Sequence, residues 1–454
     1  MLSVTFLMVC WWISEAIPLG ITALIPLVGY PLLKIMPTSQ VAPDYMDHLI
    51  FLFLGGFLIS IAIQEWQLHR RFALFTLSIL GNNPRKILLA MMLSTALLSM
   101  WLSNTATVMM MLPICLALIQ QLEDEIFKNG KKFFLYGAVL LLGISYSSSI
   151  GGIATPVGTP PNIIFLGIFN KFFPDSTSLS FLDWMIYMVP LSMIILLIVW
   201  LYLAFVILKS KHLPSAQPRA DFQEKYKKLG PLTYPQKWVL SIFALTATLW
   251  IFRSKIDLGF LIFPGWPKLL GLSTDIQDST IAIGMAIFLF ILHIPTPEGR
   301  VPLLKIKHIY QIPWDVLLLF GGGFALAAGI QQSGLAEFVA NRLHFLQNFP
   351  FILVIYLSTL AAILFTEFTS NTAVATTLLP IMAVLVTSFP FNPFALMLAV
   401  TIGCSCAFML PVSTPPNAIV FGTHYIPIKI MVRVGFVLVL IISVVISLYF
   451  YFII

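Results

Sequence analysis

SNTATVMMMLPI, residues 103–114, returns as SNTAVATTLLPI at 370–381, identical at seven of twelve positions and 267 residues downstream. The same offset aligns Gly55-Gly56-Phe57 with Gly322-Gly323-Phe324, and Gln64 with Gln331. A second pair, PVGTPPNII at 156–164 and PVSTPPNAI at 411–419, agrees at seven of nine positions. The chain is therefore built from two copies of one unit.

Both copies lie in an apolar setting. The 454 residues are 59% hydrophobic and 9% charged, with a mean hydropathy of +0.97. A soluble surface needs about 25% charged residues, so this composition belongs in a bilayer, and no polar block is large enough for a soluble domain. Apolar runs between breakers predict ten spans: 3–17, 19–36, 48–68, 133–170, 184–208, 237–253, 278–294, 314–332, 393–426 and 430–454. Two further apolar regions, 87–121 and 350–388, are each interrupted near the middle by Ser-Asn-Thr, which predicts two half-helices meeting at a polar tip, a re-entrant hairpin.

Charge tests this arrangement. With both hairpins returning to the side they enter from, nineteen of the 25 Lys and Arg fall on one face, which is then the cytoplasmic one. Five spans separate the hairpins, so the repeats are expected to be inverted, one hairpin entering from each side. The formal charge of +7 is spread through short loops without a basic stripe, which argues against nucleic acid. Met1 to Ile17 lacks a basic start and contains Glu15, so it reads as a retained span and not a cleaved signal. The expected organisation is a first repeat at 1–208, a cytoplasmic linker at 209–237 read as a solvated connector, and a second repeat at 238–454.

The Pro-Pro pairs remove backbone donors, so spans 133–170 and 393–426 should break in mid-membrane, where freed backbone is tolerated only beside protein, water, ion or substrate. A half-helix beginning at Thr105 or Thr372 offers unpaired N–H groups and the positive end of a dipole, and Ser, Asn and Thr add neutral donors and acceptors. Two such tips suit the two ends of a dicarboxylate. No Lys or Arg lies in either tip or break, so a co-transported cation must balance the charge, and hard oxygen ligands point to sodium. Moving a dianion inward against about 100 mV costs roughly 4.6 kcal/mol, which several sodium ions would offset.

Other features rank lower. Glu15, Glu65, Asp315 and Glu367 lie near membrane depth and near predicted span ends, and His293 stands alone before Pro295. Cys10, Cys115, Cys404 and Cys406 lack metal or disulfide spacing. No HExxH, GxSxG, Walker A or paired catalytic carboxylates occur, so an enzyme is not expected.

These residues, from WWISEAIP at 11–18 through both GGF, SNT and TPPN copies, make the chain similar to the divalent anion/sodium symporter family of dicarboxylate, tricarboxylate and sulfate transporters. The resemblance implies an all-α polytopic fold of eleven spans and two hairpins, a scaffold (3–68 and 238–332 here), an elevator-like transport domain, a homodimer and a plasma or inner membrane location. Set against the family, the chain is expected to lack the first span and to begin within the second. Substrate contacts carry over to Ser103, Asn104, Thr105, Ser370, Asn371 and Thr372, with Thr159, Thr414 and Pro415 nearby. One sodium site carries over to Ser99, Ser103, Asn104 and Gly158, its counterpart to Thr366, Thr369, Asn371 and Ser413. Sodium-coupled uptake of succinate, malate or fumarate is the leading expectation; a sodium-independent exchanger, or a citrate or sulfate carrier, is the alternative.

Overall fold

The computed structural model describes residues 1–80, 83–126, 130–176, 179–208, 219–257, 262–272, 276–296, 299–343, 347–388 and 391–453. Among these, six helices are long and apolar enough to cross a membrane: Thr38–Glu65, Leu135–Ile153, Phe181–Ile207, Trp314–Gln332, Asn371–Ser388 and Ile428–Ile453. Shorter apolar helices fill in the rest, so the protein is a mostly helical, multi-pass membrane chain. Two small antiparallel ribbons, Ile256–Asp257 with Ile262–Phe263 and His293–Thr296 with Gly299–Pro302, qualify the all-α expectation. His293 belongs to the second ribbon and lies outside the core.

The first interrupted region is a pair of helices, Pro84–Ser99 and Asn104–Ile126, and the second is Phe351–Thr366 and Asn371–Ser388. Each pair is joined by four residues, 100–103 and 367–370, so the turn length repeats with the motif. Pro84 supplies N1 of its helix and the Asn83 side chain accepts from the Lys86 N–H, which fixes the start. Both predicted broken spans are broken: Gly130–Ile153 resumes at Pro160–Phe172, and Pro393–Cys404 resumes at Pro415–Phe421. The span expected at 19–36 is instead two short helices, Leu19–Thr22 and Ile25–Leu32, because Pro26 supplies no N–H to continue the first.

Two helices were not anticipated. Leu68–Leu80 and Leu335–Leu343 each precede a hairpin, and each follows a residue in left-handed conformation, Gln67 (φ 54°) and Gly334 (φ 71°), again 267 apart. The linker also departs from expectation. Residues 209–218 lie outside the described residues, but Arg219–Lys228 is a helix docked on Leu68–Leu80, with Phe222 buried, Tyr226 against Phe75, and Gln223 donating to the Ser78 carbonyl at 3.4 Å. On its solvent side Lys228 hydrogen-bonds Glu224 and holds that carboxyl below the usual range. The Arg71 guanidinium donates to the Leu229, Gly230 and Pro231 carbonyls at 2.8–2.9 Å and to Gln236 Oε1 at 2.9 Å. This half of the linker is clasped and is not a solvated tether.

The GGF glycines decide how the remaining helices meet. A Cβ on Gly55 would stand 2.6 Å from the Ala282 backbone, so His48–Glu65 and Asp278–Ile291 touch main chain to main chain. Its repeat mate Gly322 does the same for Trp314–Gln332, where a Cβ would stand 2.6 Å from Ala23. Contacts link those helices with Tyr234–Ile251 and, through Leu19–Thr22, with Leu2–Ser14 into a first layer, and the hairpins and broken helices into a second; Trp314–Gln332 also packs on Pro160–Phe172 and Asn371–Ser388 across the two.

Candidate substrate and ion site

Each tip begins its helix at Asn and not at Thr. Asn104 and Asn371 are the first helical residues, and the Thr107 and Val374 N–H groups close the first turns on the Ser103 and Ser370 carbonyls. Ser103 acts as the cap, its hydroxyl accepting from the Ala106 N–H at 3.3 Å. The first N–H groups of each helix therefore point out of the tip with the positive dipole end behind them. Ser103, Asn104, Thr105, Ser370 and Asn371 are half-buried, whereas Thr372 is buried.

Each Asn is aimed by a hydroxyl five residues earlier. Ser99 donates to Asn104 Oδ1 at 2.8 Å, and Thr366 donates to Asn371 Oδ1 at 2.6 Å while also reaching the Cys404 carbonyl at 3.0 Å. In the first half the break comes to the same point. A Cβ on Gly152 would stand 2.6 Å from Asn104 Oδ1, 3.1 Å from the Gly158 carbonyl oxygen and 3.2 Å from Thr159 Cβ. Ser99, Asn104, Gly158 and Thr159 thus converge on one small oxygen-lined space, the donor set a hard cation takes. Gly152 was not anticipated; the signal was the Gly-Gly just before the break.

The second half brings fewer of its expected residues together. Ser413 donates to the Leu410 carbonyl at 2.6 Å and Thr414 caps the half-helix that begins at Pro415, but the Thr369 hydroxyl faces the Trp12 carbonyl at 3.5 Å, on the first helix of the other layer. The Thr369 hydroxyl bond thus runs to the other layer in this arrangement.

The Asn of each Pro-Pro-Asn holds its break open. Asn162 Nδ2 donates to the Gly152 and Thr155 carbonyls at 3.0 and 2.8 Å. Asn417 Nδ2 donates to the Ala407 and Leu410 carbonyls, both at 3.1 Å, and to Ser413 Oγ at 3.0 Å. The carbonyls pair at the offset of 255 that relates the two motifs. The Asn417 Oδ1 further accepts from Ser145 of the first half at 2.7 Å, whereas Asn162 Oδ1 is buried without a partner among the described residues. The position matching Ser145 is Val400, which has no hydroxyl to give. Sequence reading quoted these asparagines in the motif without assigning them.

The halves interlock at the breaks. Pro160–Phe172 packs on Asn371–Ser388 and Pro415–Phe421 packs on Asn104–Ile126, so each resumed helix lies against the other half's hairpin. The remaining acidic candidates separate by burial: Glu15, Glu65 and Asp315 are exposed, with Glu65 3.5 Å from His308, whereas Glu367 is 0% exposed.

A duplicated unit with polar hairpin tips, broken helices and interlocked halves in an apolar chain defines a membrane transport protein. Comparison with known proteins agrees. Residues 1–453 match the family described as the sodium:sulfate symporter transmembrane region. The chain is 41% identical over 456 residues to the sodium-dependent dicarboxylate transporter SdcS of Staphylococcus aureus strain MRSA252, and 40% identical to that of strain USA300, covering 100% of this chain and 85% of each relative. Among solved structures, the fold is similar to the Alcanivorax borkumensis YdaH transporter, with a TM-score of 0.59 and 15% identity over 91% of this chain and 87% of that one. The chain belongs to the divalent anion:sodium symporter family, whose members are transporters and not enzymes, and sodium is its co-transported ion.

Proposed function

We propose that this protein takes up C4-dicarboxylates such as succinate, malate or fumarate with sodium across the plasma membrane. The observation that carries the reading is the matched pair of tips, in which Ser99 aims Asn104 and Thr366 aims Asn371 beside a helix start. Each tip receives one carboxylate on helix N–H groups and the Ser, Asn and Thr side chains, with Thr159, Thr414 and Pro415 closing the space behind. Sodium is held by Ser99, Ser103, Asn104 and Gly158 at the first site and by Thr366, Thr369, Asn371 and Ser413 at the second. The names of the Staphylococcus aureus relatives favour a dicarboxylate over sulfate or citrate.

On this reading the hairpins are re-entrant from opposite faces and move with the broken helices as one elevator body, against a fixed scaffold that forms a homodimer. The backbone contacts at Gly55 and Gly322 within the first layer support its reading as the fixed body. Labelled succinate uptake into proteoliposomes tests it: a sodium gradient is expected to raise the initial rate at least about tenfold, consistent with the offset membrane cost. Equal rates with and without sodium, or uptake only after preloading with a counter-substrate, would make it an exchanger.

A further inference from the structure

Lys171 lies in the last turn of Pro160–Phe172, the helix that resumes after the first break, and two groups of the first layer reach across to it. Its ammonium donates to the Asp44 carboxylate, in the short turn Ala42–Met46 that packs on Trp314–Gln332. Its carbonyl accepts from Gln331 Nε2 at 3.0 Å, at the end of Trp314–Gln332 itself. Asp44 is 8% exposed and its Oδ2 has no partner among the described residues, so its charge rests on Lys171. The other Lys and Arg ion pairs among the described residues do not cross between the layers. Lys228 with Glu224 and Lys255 with Asp257 join near neighbours in the chain, and Arg253 with Asp278 joins helices of the first layer.

The second half has no such junction. The turn matching Ala42–Met46 is Ile306–Gln311, where the exposed Gln311 stands for Asp44, and Ile426 stands for Lys171. Gln64 is the repeat mate of Gln331, yet it donates to Ser60 Oγ of its own helix at 3.3 Å. Pro415–Phe421 is packed on Asn104–Ile126 and Gly130–Ile153. The same glutamine therefore makes an interlayer bond in one half and an internal bond in the other. In an inverted repeat, alternating access gives each half the contacts that the other half had. Gln64 then gains the Ile426 carbonyl as Gln331 releases that of Lys171. The glutamine bonds trade one for one, whereas the ion pair has nothing to replace it.

We propose that Asp44 and Lys171 form an interlayer latch that favours the arrangement described here over its opposite, while Gln331 and Gln64 hand over the bond to the resumed helices. This rests on the elevator reading above, in which the layers slide past one another. Loss of either charge removes the pair from this arrangement and takes nothing from the opposite one, so the balance moves toward the latter.

Spin labels at Gln332→Cys, on the first layer, and Asp175→Cys, just past the resumed helix, read the two populations as distances in nanodiscs. Both positions are exposed, and the exposed Cys10 is changed to Ser. Two distances are expected, with the shorter one dominant. Asp44→Asn and Lys171→Met are each expected to move the ratio about tenfold toward the longer, and Asp44→Lys with Lys171→Asp to bring it back. Gln64→Leu is expected to move it about threefold the other way, the scale of one hydrogen bond. An unchanged ratio in the neutralised variants, or an exchanged pair that fails to restore it, would overturn the latch. No shift with Gln64→Leu would overturn the handover. Should a single neutralisation fail to fold, Asp44→Asn with Lys171→Met, which leaves no unpaired charge, takes its place. One distance in every variant, in protein that still takes up substrate with sodium, would end the elevator reading and the latch with it.

Discussion

The paired glycines of the two GGF motifs behave alike at one position and differently at the next. Gly55 and Gly322 each admit a neighbouring backbone of their own layer, Ala282 and Ala23. Gly56 and Gly323 face the other layer and have exchanged partners: a Cβ on Gly56 would stand 3.5 Å from Val157 of the first break, whereas one on Gly323 would stand 2.6 Å from Thr376 Cγ2 of the second hairpin. The matching residues, Val412 and Met109, are 73% and 60% exposed. Trp101 and Phe368 divide in the same way. Trp101 lies against Phe181, Phe243 and Trp250 with ring centroids 5.0–6.4 Å apart, and Phe368 is 72% exposed. Symmetry is kept inside the first layer and lost between layers, and it is this interlayer surface that would slide in the elevator movement proposed above.

The comparison can be broken most severely at Gly152. Gly152→Ala places a methyl group against Asn104 Oδ1, and sodium-driven uptake is expected to fall about 100-fold, the scale of overpacking a tight site by a few kcal/mol. The matching position is already Ala407, where the chain has left the helix, so Ala407→Gly is expected to change uptake by less than about twofold. Equal effects at the two positions would refute the different roles given to the breaks.

Removing the aromatic rings separates the tips next. Trp101→Ala is expected to lower stability by about 3 kcal/mol and Phe368→Ala by less than about 0.5, read as thermal unfolding in detergent. The asparagines come third. Each asparagine donates its two N–H groups across its break, and Asn417 also accepts from Ser145, so Asn417→Ala is expected to cost about 1 kcal/mol more than Asn162→Ala, at roughly 1 kcal/mol per bond. The smallest contrast lies at the interlayer glycines. Gly56→Ala is expected to stabilise its helix by about 0.5–1 kcal/mol, while Gly323→Ala forfeits that gain against Thr376. Equal melting shifts for the two would mean that the layers meet with the same closeness on both sides.

What could be read from the sequence was whatever the repeat wrote twice. The tips, both breaks and the hairpin lengths follow from motif, Pro-Pro and the offset each motif keeps between the halves. Leu68–Leu80 and Leu335–Leu343 escaped notice because the first carries His69, Arg70 and Arg71 and the second is only nine residues long, so neither gives a span-like run. The clasp of Arg71 on carbonyls about 160 residues away leaves no local signal, since a carbonyl acceptor has no sequence identity. Glu367 stood beside Glu15, Glu65 and Asp315 as one acidic residue among four; only the fold shows that it alone is enclosed by donors.

The bond from Ser145 to Asn417 spans 272 residues, and the Tyr146 hydroxyl likewise reaches the Phe408 carbonyl 262 residues on. At roughly 5–20 residues per second, a ribosome needs about 14–54 s to deliver Asn417 after Ser145. Throughout that interval a helix carrying Ser145, Ser147, Ser148 and Ser149 waits in the lipid for its partner strand of the sequence. Biogenesis therefore contains a long period in which this helix is made but the second-half groups that its side chains bond do not yet exist.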